Sequence, residues 1–137
     1  MGAEVRGLTP LLQVFDMRRA LAFYCDALGF EVVSHSPEVT AAEGTYFHWA
    51  LLRLGGAELM LNTAYDAGER PAVEDVGRRR GHRDTELFIG CRDVDAVYAL
   101  LIERGVTLRS PVDTAYGMRQ VRVRDPDGFW ICFQTRV

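Results

Sequence analysis

The chain has 137 residues, 48% hydrophobic and 26% charged, with a formal net charge of −3. That length suits one domain with a sizeable core, and the composition is that of an ordinary soluble globular protein. The mildly acidic balance argues against nucleic acid as a partner, no apolar run is long enough for a membrane, and MGAEVRGLTP lacks a signal-peptide core. Three widely spaced cysteines, Cys25, Cys91 and Cys132, with no export signal, predict reduced thiols and a cytoplasmic protein.

Residues 8–15, LTPLLQVF, alternate as a strand does, with Pro10, Leu12 and Val14 on one side and Thr9, Leu11, Gln13 and Phe15 on the other. Asp16 then caps a helix whose stripe is Met17, Leu21, Tyr24 and Leu28, and Gly29 closes it. FEVVSHS reads as a strand. TYFHWALLRL and AELMLN read as a hairpin across Gly55 and Gly56.

A charged linker follows at 64–84; its RRRGHR run could recruit an anionic ligand or partner, but a solvated charge run is the plainer reading. The signals then repeat. TELFIGC is a strand, Asp93 a cap, and Val94, Val97, Tyr98 and Leu101 a helical stripe closed by Gly105. VTLRSPV, RQVRV and WICFQT are three further strands, the last two joined by the turn Asp125-Pro126-Asp127-Gly128.

Both halves thus read strand, helix, strand, strand, strand. The expectation is a single α+β domain of two βαβββ modules, the first over 7–63 and the second over 85–137. A helix covers one face of each sheet, and the opposite faces shape a shared concave pocket. Leu12, Val14, Leu59, Leu61, Leu87, Ile89, Ile131 and Phe133 fall on the helix side. The other phase collects Phe15, Phe47, Trp49, Phe88 and Trp130, more aromatic surface than the helix-side core can use. These residues predict an apolar pocket with a few polar anchors, Gln13, Glu58 and Glu86 among them.

Each polar candidate also has a plainer reading. Glu58 and Glu86 are meaningless on a solvated face, but inside a cavity they could pair with a cationic ligand or act as bases. Cys132 could be a nucleophile, a ligand or a pocket wall; nothing basic nearby is assured to lower its pKa, which favours the wall. His35, His48 and His82 have no metal spacing. Tyr116, on a glycine-containing loop, is a candidate ligand contact.

Three stretches carry a family resemblance. VFDMRRALAFYCDALGF, with Asp16, Ala20, Phe23, Tyr24, Leu28, Gly29 and Phe30 in place, is the first; CRDVDAVYALLIERGV and YGMRQVRVRDPDGFWICF are the others. In this order they resemble the vicinal oxygen chelate superfamily of glyoxalases, bleomycin-resistance proteins, fosfomycin-resistance enzymes and extradiol dioxygenases.

Metal-dependent members carry ligands at positions that fall here on Thr9, Glu86 and Cys132, and the extra glyoxalase carboxylate falls on Glu58. No histidine stands at any of them. The resemblance therefore implies the metal-free, bleomycin-resistance-like branch, which sequesters a planar small molecule. It implies a homodimer, no metal or cofactor, and no catalytic residue. Thr9, Gln13, Phe15, Phe47, Trp49, Glu58, Glu86, Phe88, Tyr116, Trp130 and Cys132 are the expected ligand contacts. Whether the protein is an enzyme stays open: the alternative is a glyoxalase-type lyase or extradiol-type dioxygenase with a nonstandard metal site on Glu58 and Glu86.

Overall fold

The computed structural model describes residues 2–137. In chain order it contains β1 (Leu11–Val14), α1 (Met17–Leu21) running on into a π-helical turn (Ala22–Ala27), β2 (Glu31–His35), β3 (Glu38–Ala41), β4 (Gly44–Phe47), β5 (Trp49–Leu54) and β6 (Ala57–Thr63). Then come α2 (Val76–Gly81) with a 3₁₀ turn (His82–Asp84), β7 (Glu86–Gly90), α3 (Val94–Glu103), β8 (Val112–Asp113), β9 (Met118–Arg124) and β10 (Trp130–Arg136).

The repeat read from the sequence is a repeat of strand pairing. One sheet has the order β1-β6-β5-β2 and the other β7-β10-β9-β8. In each, the strand before the helix pairs in parallel with the last strand of its module, and the remaining pairs are antiparallel. The architecture is α+β with two βαβββ-like sheets.

Local signals account for the helix ends. Asp16 Oδ1 accepts from the Arg18 amide at 3.0 Å, and Asp93 Oδ1 from the Ala96 amide at 3.0 Å, so both act as N-terminal caps. Gly29 (φ 94°) and Gly105 (φ 81°) close the first and last helical segments in the left-handed conformation that favours glycine.

Three segments depart from expectation. The run 45–54 is two strands: β4 leaves the sheet to pair with β3, and only β5 joins β6. His48 marks the break, its carbonyl accepting from the Thr63 amide at 2.8 Å and its Nδ1 lying 2.5 Å from Thr63 Oγ1. The expected strand at 106–112 shrinks to Val112–Asp113. Pro111, which has no N–H to give a ladder, precedes it. The linker holds α2, whose cap Asp75 accepts from the Gly77 amide at 2.9 Å.

Two compact units are resolved: residues up to Arg18 with Phe30–Arg70, and Arg19–Gly29 with Pro71–Val137. Most of the first helical segment therefore groups with the second sheet, whereas the sequence boundaries kept it in module one. Its polar contacts give the reason. The Tyr24 hydroxyl donates to Asp125 Oδ2 at 2.5 Å, Arg19 forks onto Glu74 with both bonds at 2.9 Å, and Arg104 donates to the Ala27 carbonyl at 2.7 Å.

In the first unit the core is Leu12, Val14, Met17, Phe30, Ala50, Leu52, Leu59 and Leu61. In the second it includes Tyr24, Val94, Leu101, Val121, Val123, Ile131 and Phe133, with α3 packed across β9 and β10. Leu87 and Ile89, expected with this core, are only half-buried.

The turn at 125–128 is the polar hub of the second unit. Asp125 Oδ1 accepts from the Asp127 and Phe129 amides at 2.9 and 2.8 Å, closing the turn on itself. Asp127 is fully buried, and its Oδ1 meets Arg78 at 3.1 Å and Arg19 at 3.4 Å. The His82 ring stacks on Phe129 at 4.0 Å, and its Nδ1 sits 2.7 Å from the Asp127 carbonyl. Part of the RRRGHR run is thus tied down by buried acceptors, not solvated throughout.

Candidate functional site

Alternation along β9 and β10 sends Val121, Val123, Ile131 and Phe133 to the helix side, where all four are buried. Ladder register then lines up the opposite face in rows. Glu86, Trp130 and Arg124 form one row, Phe88, Cys132 and Arg122 the next, and Gly90, Gln134 and Gln120 the third.

Trp130 is the centre of this face. The Arg122 guanidinium carbon lies 4.4 Å from the indole centroid, and its Nε reaches on to donate to Glu86 at 2.8 Å. The Arg124 guanidinium carbon lies 4.2 Å from the same centroid. Each cation–π contact at an exposed site contributes about 0.5–1 kcal/mol and holds a flexible arginine in one orientation. Gln120 is buried, and its Nε2 donates to Gln134 Oε1 at 3.0 Å and to the Tyr116 hydroxyl at 3.2 Å.

The irregular segment before β8 faces these side chains across a groove of about 740 Å³. Leu108, Ser110, Val112, Gln120, Arg122 and Trp130 are among its lining residues. The loss of strand at 106–111 therefore leaves an open wall beside Trp130. Its chemistry is apolar surface with a planar guanidinium–indole stack and an amide pair, suited to a flat organic molecule.

The expected contacts distribute unevenly. In the second unit, Glu86, Phe88 and Trp130 share the outer face, with Phe88 53% exposed on the edge strand. Cys132 keeps the same phase but has 0% exposure and does not line the groove. Burial, then the Glu86 charge, pushes its thiol up to about 11, so it is protonated and a poor nucleophile at neutral pH. Tyr116 stands in the turn before β9, 71% exposed.

In the first unit, Gln13 and Trp49 share a row through Asn62, and Glu58 lies in the row shared with Arg53. Arg53 donates to Glu58 Oε2 at 2.9 and 2.6 Å. Thr9 precedes β1 and is half-buried. Two aromatics lie off the sheet face, against expectation. Phe15 follows β1, edge-on to Tyr65 at 6.1 Å and beneath Arg70 at 5.1 Å. Phe47 follows β4 out of the sheet and stacks on His35 at 4.3 Å.

Sequence reasoning passed over Arg122, Arg124 and Gln120. The signal was present: in RQVRVR, Gln120, Arg122 and Arg124 alternate with the buried Val121 and Val123, so they share the Trp130 phase.

The donors at the metal positions of this fold do not fit a divalent ion. Glu58 and Glu86 are each held by an arginine, Cys132 is buried as a thiol, and Thr9 is a neutral hydroxyl. Among the described residues, no three His, Cys, Asp or Glu side chains gather as ligands would.

Solved structures share this fold along nearly the whole chain. TnmS3, an antibiotic-binding protein from Streptomyces sp. CB03234, is 26% identical, with 99% of this chain and 100% of that one covered at a TM-score of 0.68. A glyoxalase/bleomycin resistance protein from the same organism is 28% identical, covering 93% of this chain and all of its own at a TM-score of 0.60. The bleomycin-binding protein of Streptomyces verticillus, solved with copper(II)-bleomycin, has the same fold at 20% identity, with 96% and 97% covered and a TM-score of 0.68. No curated protein sequence matches the chain significantly. The family model for the glyoxalase/bleomycin resistance protein/dioxygenase superfamily matches residues 8–133. With its doubled parallel-first strand order and that match along nearly its whole length, the chain belongs to this superfamily.

Proposed function

We propose that this chain binds a small, flat, largely apolar or aromatic molecule and sequesters it unchanged, without a metal. The observation that carries this function is the groove beside Trp130, where an indole and two guanidinium planes meet apolar walls at Leu108 and Val112. Planar π-systems stack on guanidinium as well as on indole, so the arginines extend the aromatic platform. The antibiotic-binding character of TnmS3, 26% identical, lends support. On the first sheet, Gln13, Trp49 and Glu58 are proposed ligand contacts, with Thr9, Phe15 and Phe47 as secondary candidates; on the second, Glu86, Phe88 and Trp130 are, with Tyr116 secondary, while the buried Cys132 only supports the face from beneath.

A homodimer is part of this proposal, supported by the exposed Leu11 and Phe88 on the edge strands β1 and β7. Cytoplasmic residence is also proposed, in keeping with three free cysteines. No helix among the described residues is long and apolar enough to cross a membrane.

The test is a tryptophan-fluorescence titration of the parent chain, whose two tryptophans are Trp49 and Trp130, against a panel of planar aromatics. Saturable quenching with the ligand recovered chemically intact is expected. Absence of quenching across the panel, or conversion of a bound compound, would overturn the proposal. Protein prepared without added metal is expected to carry no stoichiometric Mn, Fe, Ni or Zn. One tightly bound divalent ion per chain, needed for turnover, would favour the lyase or dioxygenase alternative on Glu58 and Glu86.

A further inference from the structure

A second cavity, of about 360 Å³, opens in the same unit and is lined by Val76, Arg79, Arg80, Arg83, Arg124, Asp125 and Pro126. Four arginines line it, in a chain whose acidic residues outnumber its lysines and arginines by 19 to 16. Arg79 lies 3.8 Å from Glu74. Among the described residues, Arg80, Arg83 and Arg124 have no carboxylate within ion-pair distance. The one carboxylate in the wall, Asp125, is 3% exposed and already accepts from Tyr24 and two backbone amides.

Favourable placement at the end of α2 explains Arg80, which sits in its last turn. It does not explain Arg83 from the following 3₁₀ turn or Arg124 from the end of β9. Three segments bring like charges to one concave surface. Like charges gathered on one surface repel, and an anion seated among them relieves that repulsion.

Arg124 is common to both cavities: it lines this one, lines the Trp130 groove, and lies over the indole ring. We propose that Arg80, Arg83 and Arg124 form an oxyanion site adjoining the Trp130 groove, so that the molecule bound is a planar aromatic carrying a phosphate or carboxylate group. The ring lies in the groove, and the anionic group meets the guanidinium forks, whose geometry matches two oxygens at once. This assignment rests on the aromatic-binding function proposed above and adds the charge of the ligand to it.

The probes are 1-naphthol and 1-naphthyl phosphate, titrated against the tryptophan fluorescence of the parent chain. Inorganic pyrophosphate is followed in parallel by NMR of the arginine Nε–Hε groups. At low salt the phosphate ester is expected to bind at least about tenfold tighter than naphthol, as charge-assisted bonds to guanidinium dictate. The advantage should vanish in Arg80→Gln/Arg83→Gln, whose substituted residues are exposed, and should fall steeply with added salt. Pyrophosphate should shift the Arg80, Arg83 and Arg124 signals.

Naphthol binding with no gain from the phosphate, or a gain that survives Arg80→Gln/Arg83→Gln, overturns the oxyanion site and leaves the aromatic-binding function standing. Quenching by neither aromatic overturns both. Pyrophosphate shifts without any aromatic binding overturn the joint site.

Discussion

The Tyr24 hydroxyl donates to Asp125 Oδ2 at 2.5 Å, joining the first helical segment to the turn before the last strand across 101 residues of sequence. Both groups are buried. Burial and the neighbouring Asp125 hold the tyrosine proton well above its ordinary range, so Tyr24 stays a donor at any physiological pH. Tyr24→Phe leaves a buried carboxylate oxygen without this donor and is expected to cost about 1–3 kcal/mol in denaturant unfolding. Because the hydrogen bond favours the ionised carboxyl, its loss should also move the Asp125 titration upward, as carboxyl NMR would register. A variant as stable as the parent, with the Asp125 titration unmoved, would deny the bond its role.

Burial raises the Asp125 carboxyl from 3.8 to about 6, against the pull of its hydrogen bonds. Between those values the folded chain holds a proton that the unfolded chain has released. This group's contribution to stability is therefore full below about pH 4, falls as pH rises toward 6, and is level above that. The span is on the order of 3 kcal/mol. Subtracting the unfolding free energy of Asp125→Asn from that of the parent, across pH 4–7, isolates it. A difference that rises with pH would reverse the sign.

At Gly128, φ is 97° and an added Cβ would stand 2.2 Å from the Arg79 carbonyl oxygen. Gly128→Ala is expected to cost about 2–3 kcal/mol, since backbone strain and a clash with backbone coincide. Gly55→Ala shares the positive φ (56°) but meets open space, so about 1 kcal/mol is expected. Equal losses at the two sites in thermal or chemical denaturation would mean that the approach of Arg79 is immaterial.

Cys132 is expected to be silent to thiol reagents in the folded protein at pH 8 and to react only on unfolding, because its thiol is buried and pushed up to about 11. Cys25 and Cys91, partly exposed, should react first, though burial raises both. Cys132→Ser should leave aromatic binding within about twofold while costing about 1–3 kcal/mol of stability for a buried hydroxyl. Rapid labelling of Cys132 in the native state, with loss of a turnover in the serine variant, would identify it as a nucleophile.

Sedimentation at micromolar concentration is expected to give a dimer mass, and Phe88→Glu or Leu11→Glu to shift it toward monomer. Closed symmetric pairs repeat the same exposed patch on both chains, so one charge appears twice in the contact. A monomer at every concentration would separate ligand binding from assembly.

What the sequence determined by itself depends on neighbours along the chain. Asp16 and Asp93 as caps, Gly29 and Gly105 as stops, and the hairpin at Gly55-Gly56 follow from backbone chemistry within a few residues. Alternation likewise placed Trp130 and Glu86 on one face and Ile131 and Phe133 on the other, because side-chain direction in a strand has period two. Even the doubled βαβββ order was legible, as a repeat of such signals.

Tertiary structure decided what depends on pairing. Whether β4 stays with β5 turns on a competition with β3, which His48 and Thr63 resolve through space. Arg122 meets Glu86 only because β10 lies between their strands, and this turns an expected ligand anchor into half of an ion pair. The Arg80, Arg83 and Arg124 cluster draws on residues up to 44 positions apart, brought together by the buried anchoring of α2 and its 3₁₀ turn on Asp127. Short-range rules cannot see such contacts, because their energy is gained only after the chain between them has already folded.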